Sequence, residues 1–543
     1  MRPIVRRPTL PEPTIADRLV GVFSPAAMRD RLVARWQIGA LTGGYKGARR
    51  DRRATKAWNA QTQSADAALL PDLADLRDRS RDLVRNNPLA GGAINTKVTS
   101  VVGTGLKVRP QVDREALGLT EAQAEVWEAQ ALRIFNTWSR NAECDLTRTQ
   151  TFAEIQDTAF RGVLESGDIF VALRHLTRPG SNLGLKLQMI EADRVGNPGN
   201  TVDKARLAGG VEVDDHGAPV AYHVASRHPG DIVYSGTPRT WTRVEAFGPR
   251  SGRRQVLHLF RRLRPDQTRG VPDLAPVVEL IKQLGDYTES EAQAALIASF
   301  FTVFVETEGG EGSPSSIAPD ALGANDSAEE MRMGPAAVLD LAQGEKVTIA
   351  DPGRPNQAFD GFVLSLLRQV GVALELPFEL LVKHFTASYS AARAALLEAW
   401  KYYRGRRQWL AARLCQPVYE AVIIEAVARG LLAAPGLLAS DAARAAWLGA
   451  EWYGDAMPQL DPLKENNADK IAQDEGWKTA TEITAEKTGG DWERKNAIRA
   501  REVRQRRDAG LDQAAAPPTT DPDPAPDDPE DDGGPDTEQE DES

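Results

Sequence analysis

The sequence predicts a helix-rich α+β protein, on three observations. Capping-box spacings stand ahead of helical runs at Thr120…Gln123, Thr151…Glu154 and Thr479…Glu482. Between Asp168 and Phe260 the pattern changes to short apolar or alternating runs separated by Gly-containing turns, as strands require. Beyond Pro272 long helical periodicities return, and no repeat of fixed length runs through the chain.

The elements follow in order. Residues 1–60 are rich in Pro, Arg and Gly and read as a basic, partly disordered leader with one short helix around Ile15–Val22. Asn87-Pro88 is an N-cap followed by proline at the first helical position, opening a helix through Ile94 and Val98 that stops at Gly103. The Thr120 box opens a helix carrying Trp127, Phe135 and Trp138, and the Thr151 box opens one that Gly167 stops. Asp168–Leu176 and Leu185–Ile190 read as one hairpin, Gly210–Asp214 and Pro219–Ala225 as another, and Gln255–Phe260 as a further strand. A helix of about 25 residues follows Pro272, then a β-rich segment from Ser299 to Glu306, a polar Gly/Ser/Pro stretch, and strand candidates at Ala336–Leu341 and Lys346–Ala350. Phe359–Leu376 is a second helix, closed by Pro377. A long helix runs from Tyr389 to Arg429 with Pro417 as a kink and Gly430 as its stop. Three further helices, opened at Asp461, Thr479 and Asp491, lead to Gly510.

Charge is distributed unevenly. The net −11 conceals a basic leader, with thirteen Lys/Arg against four acids in residues 1–60, and an acidic segment, with twelve acids and no Lys or Arg from Ala516 to Ser543. That last segment has no aliphatic or aromatic side chain larger than Ala to bury, so disorder is expected across 512–543. The intervening residues 61–515 hold about −8, which argues against a body that wraps DNA through dense phosphate contacts. The two cysteines, Cys144 and Cys415, form no metal-ligand spacing and suit a reducing compartment. The longest apolar stretch, Ala294–Val305, is too short for a membrane span, and the expectation is a soluble, cytosolic protein.

Catalytic signatures are scarce. The chain has no GxxxxGK[ST] loop, no HExxH and no GxSxG elbow. Val102-Gly103-Thr104-Gly105-Leu106-Lys107-Val108 follows a helix rather than a strand and lacks the third glycine of a dinucleotide loop. The six histidines make no cluster. Glu191 and Asp193 offer a short acidic pair for a cation, against a commoner reading in which they pair with Arg194 at a strand end. The residues point to a protein that is not an enzyme and needs no cofactor or metal. Trp400, Tyr403 and Arg407 share one helical face, which reads as a subunit contact ahead of a nucleic-acid platform.

Several stretches, taken in order, resemble the lambda-type family of tailed-phage portal proteins. They are Arg85-Asn86-Asn87-Pro88-Leu89-Ala90 with Val101-Val102-Gly103-Thr104-Gly105-Leu106, then Leu187-Gln188-Met189-Ile190-Glu191-Ala192-Asp193-Arg194, then Gly210-Val211-Glu212 with Gly217-Ala218-Pro219-Val220-Ala221-Tyr222. His258-Leu259-Phe260, Arg264-Pro265-Asp266-Gln267-Thr268-Arg269-Gly270-Val271-Pro272, Ser388-Tyr389-Ser390-Ala391-Ala392-Arg393-Ala394-Ala395-Leu396 and Leu460-Asp461-Pro462-Leu463-Lys464-Glu465 complete the series. The order and spacing carry the resemblance, across roughly residues 70–511. Where the family often has Asn-Tyr-Ser-Ser, this chain has Ser388-Tyr389-Ser390-Ala391, and an acidic position just before it is taken by Lys383-His384.

The resemblance implies a portal fold of wing, stem, clip and crown around a central tunnel, assembled as a cyclic ring, usually a dodecamer. It implies an α+β wing over 61–270, stem helices at 271–298 and 359–376, a clip at 299–358 and a tunnel loop at 377–388. The long kinked helix 389–430 of wing and crown and a helical crown region 431–511 would follow. Glu279, Lys282, Asp286 and Glu289 become channel-wall residues of the stem, accompanied by Glu291, and Lys383, His384 and Phe385 become DNA-tunnel residues. Implied partners are other copies of the chain, double-stranded DNA, the terminase large subunit, major capsid and scaffold proteins, and head-completion or tail-connector proteins. The implied place is the capsid portal vertex of the virion, with assembly in host cytoplasm and a leader that a prohead protease removes in some relatives. The alternative is a non-enzymatic, protein-binding adaptor of the virion head. A packaging nuclease or ATPase would need the nucleotide loop or carboxylate cluster that the sequence lacks.

Overall fold

The structure is a computed structural model that describes residues 13–41, 60–232, 238–299, 303–307, 345–349, 359–384, 389–456, 462–488 and 492–511, with isolated positions 53, 57, 58 and 490. Two compact units divide the chain: residues 1–73 with 262–268, and residues 74–261 with 269–543.

In the first unit, α1 (Ile15–Phe23) and α2 (Pro25–Leu41) form a helical hairpin, the second helix unforeseen in the sequence. Thr14 and Asp17 cap α1 reciprocally, and Arg31 and Arg35 reach back to the Asp17 carboxylate. Hydrogen bonds from Thr14 hold that carboxyl well below the usual range. The short α3 (Ala65–Leu69) places Asp66 to accept from the Thr268 amide at 2.9 Å and its hydroxyl at 2.8 Å.

The second unit opens with α4 (Leu73–Asn86) and α5 (Pro88–Val101), and Asn87 caps α5 through the amides of Leu89 and Ala90. Strand β1 (Lys107–Pro110) and α6 (Arg114–Leu117) lead to α7 (Glu121–Ser139) and α8 (Phe152–Ser166), both opened by the expected capping boxes. Then come β2 (Asp168–His175), β3 (Leu185–Ile190), β4 (Leu207–Ala208), β5 (Val211–Val213), β6 (Pro219–Ala225), β7 (Trp241–Glu245) and β8 (Val256–Phe260). They form two antiparallel sheets, ordered β3-β2-β8 and β4-β5-β6-β7. The expected hairpins are β2–β3 and β5–β6, the latter with a bulge between Glu212 and Val213. Strand β7 was not expected.

Strand β2 is apolar on both faces because both are covered. Ile169 and Val171 enter the main core with α7 and α8, while Phe170 and Ala172 enter a second core between the sheets, with Tyr222, Val224 and Val256.

The carboxyl-terminal half is mostly helical: α9 (Val278–Ser299), the strand pair β9 (Val303–Thr307) and β10 (Glu345–Ile349), then α10 (Phe359–Ala373) and α11 (Phe378–Val382). The expected strand at Ala336–Leu341 lies outside the described residues, as does the disorder expected of 512–543. Next are α12 (Tyr389–Leu410), α13 (Gln416–Ala428), α14 (Asp441–Leu448) and β11 (Ala450–Tyr453), which pairs back to β1 in the register Lys107↔Tyr453. Helices α15 (Pro462–Asp474), α16 (Ala480–Thr488) and α17 (Trp492–Asp508) follow. The irregularity expected at Pro417 lies before it, as a single π turn at Ala411–Cys415. Proline has no amide to donate and crowds the preceding turn, and the wider turn relieves both. Gly430, at φ +72°, ends α13 as expected.

Candidate functional site

The most heavily bonded charged cluster sits where the two sheets meet. Gly167, at φ +87°, ends α8, and its backbone lies against Gly270 so closely that a Cβ on Gly270 would stand 1.9 Å from the Gly167 carbonyl oxygen. This contact brings Asp168 beside Arg269. The Arg269 Nε donates to Asp168 Oδ2 at 2.6 Å, and its remaining nitrogens donate to the carbonyls of Ala192, Val195 and Gly209 at 2.6–2.8 Å. Arg77, from α4, donates to Asp168 Oδ1 at 2.7 Å and to the Ser166 carbonyl at 2.8 Å. His258 Nε2 lies 3.2 Å from Asp168, its ring stacked on Phe170 at 4.1 Å.

Asp168 is fully buried. Burial alone would push its carboxyl up, but Arg269, Arg77 and His258 hold it well below the usual range. Burial lowers Arg77 to about 10 against the pull of Asp168, and it lowers His258 as well. Asp168 is enclosed and its carboxylate oxygens are engaged by Arg77, His258 and Arg269, so the cluster acts as a clamp joining α4 to both sheets. The sequence reading assigned it no role.

Glu191, Asp193 and His228 bring donor atoms within 4.8 Å of one another, which is compatible with a cation. The Arg81 guanidinium already pairs with both acids, at 3.3 Å for Glu191 and more closely for Asp193. The expected pairing with Arg194 does not form. Arg194 donates instead to the carbonyls of Ala225 and Ser226, because the turn at Ala192–Arg194 points it toward β6.

Helix α9 presents Glu279, Lys282, Asp286 and Glu289 on one exposed stripe, three or four residues apart. Lys282 pairs with Asp286, while Gln283 and Gln293 donate to Glu279 and Glu289 at 3.2 and 3.3 Å. Glu291, expected with these acids, is buried and does not share their surface. The opposite side of α9 seats Ile281 and Leu284 in the core. Tyr287 packs on α10 through Phe359 and Phe362, with ring centroids 5.5 and 5.3 Å apart. The two helices therefore pack on one another.

Lys383 and His384 follow α11 and are exposed, and Phe385 lies outside the described residues. Lys383 adopts the left-handed conformation that ends α11, with the His384 amide donating to the Glu379 carbonyl at 3.1 Å.

Trp400, Tyr403 and Arg407 do share one face of α12, but that face is turned into this chain. Tyr403 is 4% exposed, leaving no surface to offer a neighbouring subunit. Arg407 donates to the carbonyls of Val101, Ser100 and Asp455 at 2.8–3.1 Å, closing the carboxyl end of α5. Trp400 is half-buried beneath the Arg407 guanidinium, 5.2 Å away. Their placement follows from an amphipathic face finding the nearest core. Cys144 and Cys415 are buried, and burial pushes the Cys144 thiol up to about 12. Among the described residues, no helix is long and apolar enough to cross a membrane.

The profile described as "Phage portal protein, lambda family" matches residues 51–407. Portal protein B of Escherichia phage lambda is 28% identical over 480 residues, covering 84% of this chain and 88% of that relative. The portal protein of Escherichia phage N15 is 27% identical over 481 residues, covering 85% and 89%. Among solved structures, the neck of a native GTA particle computed with C12 symmetry is similar at a TM-score of 0.40 and 14% identity, covering 76% of this chain and 92% of that one. The family match begins ahead of α3 and runs into α12, taking in the Asp168–Arg269 clamp, both sheets and the α9–α10 pair. The chain belongs to the lambda family of phage portal proteins.

Proposed function

We propose that this portal protein closes into a ring, most simply of twelve copies, at one vertex of a phage capsid. Double-stranded DNA is driven through the ring by a terminase motor during packaging and leaves through it on ejection. The same ring docks first the terminase large subunit and then head-completion or tail proteins, while major capsid and scaffold proteins hold it in the virion shell. Assembly takes place in host cytoplasm, and the role is structural rather than catalytic. In this reading residues 61–270 build the wing, α9 and α10 the stem, 299–358 the clip, 377–388 the tunnel loop, and α12 onward the wing and crown.

The observation that carries the proposal is the family match over residues 51–407. The exposed stripe of α9 supports the conducting role. Three carboxylates and one lysine, with that lysine already paired, offer a passing duplex few phosphate contacts, and each such contact would multiply around a ring and slow sliding. Lys383, His384 and Phe385 are the proposed points where the tunnel touches DNA.

Mass photometry of the purified protein, with negative-stain images of the same sample, tests the ring. Twelve copies of 59.1 kDa give a particle of about 0.7 MDa with a central hole. A persistent monomer in the presence of capsid and scaffold proteins would overturn the ring and favour the adaptor reading.

A further inference from the structure

Helix α17 is densely basic and exposed along its length. From Trp492 to Asp508 it carries seven Lys/Arg against three acids. Lys495, Arg499, Arg501, Arg504, Arg506 and Arg507 are all exposed and spread around the helix, so no face is apolar enough to seat it in a core. Of its acids, Glu493 is already taken by Arg109 of β1. No carboxylate among the described residues pairs with Arg499, Arg501 or Arg506. Such a helix attracts polyanions, and in a protein whose duty is to let DNA slide it would act as a brake.

The sequence supplies an anion next to it. Twelve acids and no Lys or Arg lie between Ala516 and Ser543, and the acidic run begins at Asp521, thirteen residues beyond Asp508. A helix of 17 residues is about 25 Å long, at ~1.5 Å per residue. Thirteen residues of extended chain span about 43 Å at ~3.3 Å each, so the acidic run can turn back and reach every arginine of α17. Tethering raises its effective concentration into a range that free DNA at working concentrations does not match.

We propose that the acidic segment 512–543 is the resident occupant of α17, lying along its unpaired arginines and excluding DNA from them. The inference goes beyond the conducting role and does not depend on ring closure. Its chemistry is competition between carboxylates and phosphates for the same guanidiniums. Association and release need no refolding of the helix. High salt weakens the association, as it weakens DNA binding.

The test measures binding of a random-sequence DNA duplex by four proteins at several salt concentrations: the full chain, a variant ending at Leu511, the triple variant Arg499→Gln/Arg501→Gln/Arg506→Gln, and the two changes combined. Truncation is expected to tighten binding about tenfold at low salt and to steepen its salt dependence. In the triple-variant background truncation should gain little, because the surface it uncovers is gone. Unchanged binding on truncation overturns the proposal. An equal gain with and without the arginines also overturns it, since the segment would then add only bulk negative charge. A second measurement avoids deletions altogether. Carbodiimide coupling of the full chain at low salt should join Lys495, the one lysine of α17, to acids of 521–542, and the link should vanish at high salt. Failure to recover that link at low salt counts against the proposal.

Discussion

Two regions of this protein use the same side chains to opposite ends. At the sheet corner, Asp168, Arg77 and Arg269 are buried, share hydrogen bonds and fix α4 against both sheets. On α9, Glu279, Lys282, Asp286 and Glu289 stand exposed and touch little beyond one another. The buried set is energetically expensive to disturb, because each charge has lost its water and depends on its partners. The exposed set is nearly free to change, because water and salt screen it. Charge at the corner holds α4 and the two sheets together. Charge on α9 is surface chemistry, available for work outside the protomer.

The comparison breaks first at Asp168. Replacing Asp168→Ala leaves two buried guanidiniums without a counter-charge, and a loss of about 3–5 kcal/mol is expected. The denaturant midpoint followed by tryptophan fluorescence reports it, through the buried Trp127 and Trp138. A loss below about 1 kcal/mol would show that the clamp contributes little.

Gly270→Ala comes next. Its new methyl group meets the Gly167 carbonyl oxygen at 1.9 Å, so the β2 end and the Arg269 segment must part. Overpacking of this kind costs about 1–3 kcal/mol. The same replacement at Gly361, where nothing lies within 4 Å, should leave the melting temperature unchanged or raised.

Acidification gives a smaller effect. Burial lowers His258 below its ordinary range, so as pH falls below about 6.5 the unfolded chain takes up a proton that the folded chain resists. Stability therefore falls between pH 7 and 5, by at most about 1.4 kcal/mol per pH unit from this group. His258→Gln should flatten that part of the profile. Asp168, whose folded carboxyl is held low, contributes in a separate window that opens only below about pH 4, where the unfolded chain protonates first. An unchanged slope in the His258 variant would remove the ring from this account.

On α9 the expected change nearly vanishes. Lys282→Ala breaks an exposed pair one helical turn apart and should alter stability by less than about 0.5 kcal/mol, measured by the same unfolding curves. If it costs as much as the Asp168 change, the stripe is part of the protomer's own packing and the contrast fails.

The division between what could and could not be read from sequence follows the range of the interactions. Local signals were legible: the capping boxes at Thr120 and Thr151, the Asn87 cap, the Gly167 and Gly430 stops and the β2–β3 hairpin. Each depends on residues close in sequence. The clamp was not legible, because Arg77, Asp168, His258 and Arg269 are brought together only by the fold. The available hints were Gly167-Asp168 at the end of a helix and Arg269-Gly270 within the family-like stretch Arg264–Pro272. Periodicity correctly placed Trp400, Tyr403 and Arg407 on one face, but it does not say which core that face meets. The nearest one lay within the chain. The pairing of β1 with β11, more than 300 residues apart, had no sequence signal of its own.

A reconstruction of the assembled particle at side-chain resolution tests the central claim most directly. The account predicts a closed ring in which Glu279, Lys282, Asp286 and Glu289 of every copy face the central bore, while the Asp168–Arg269 clamp stays inside each protomer. A ring whose α9 stripe packs against a neighbouring copy or faces outward would contradict the conducting wall, and an open or monomeric assembly would contradict the portal reading itself.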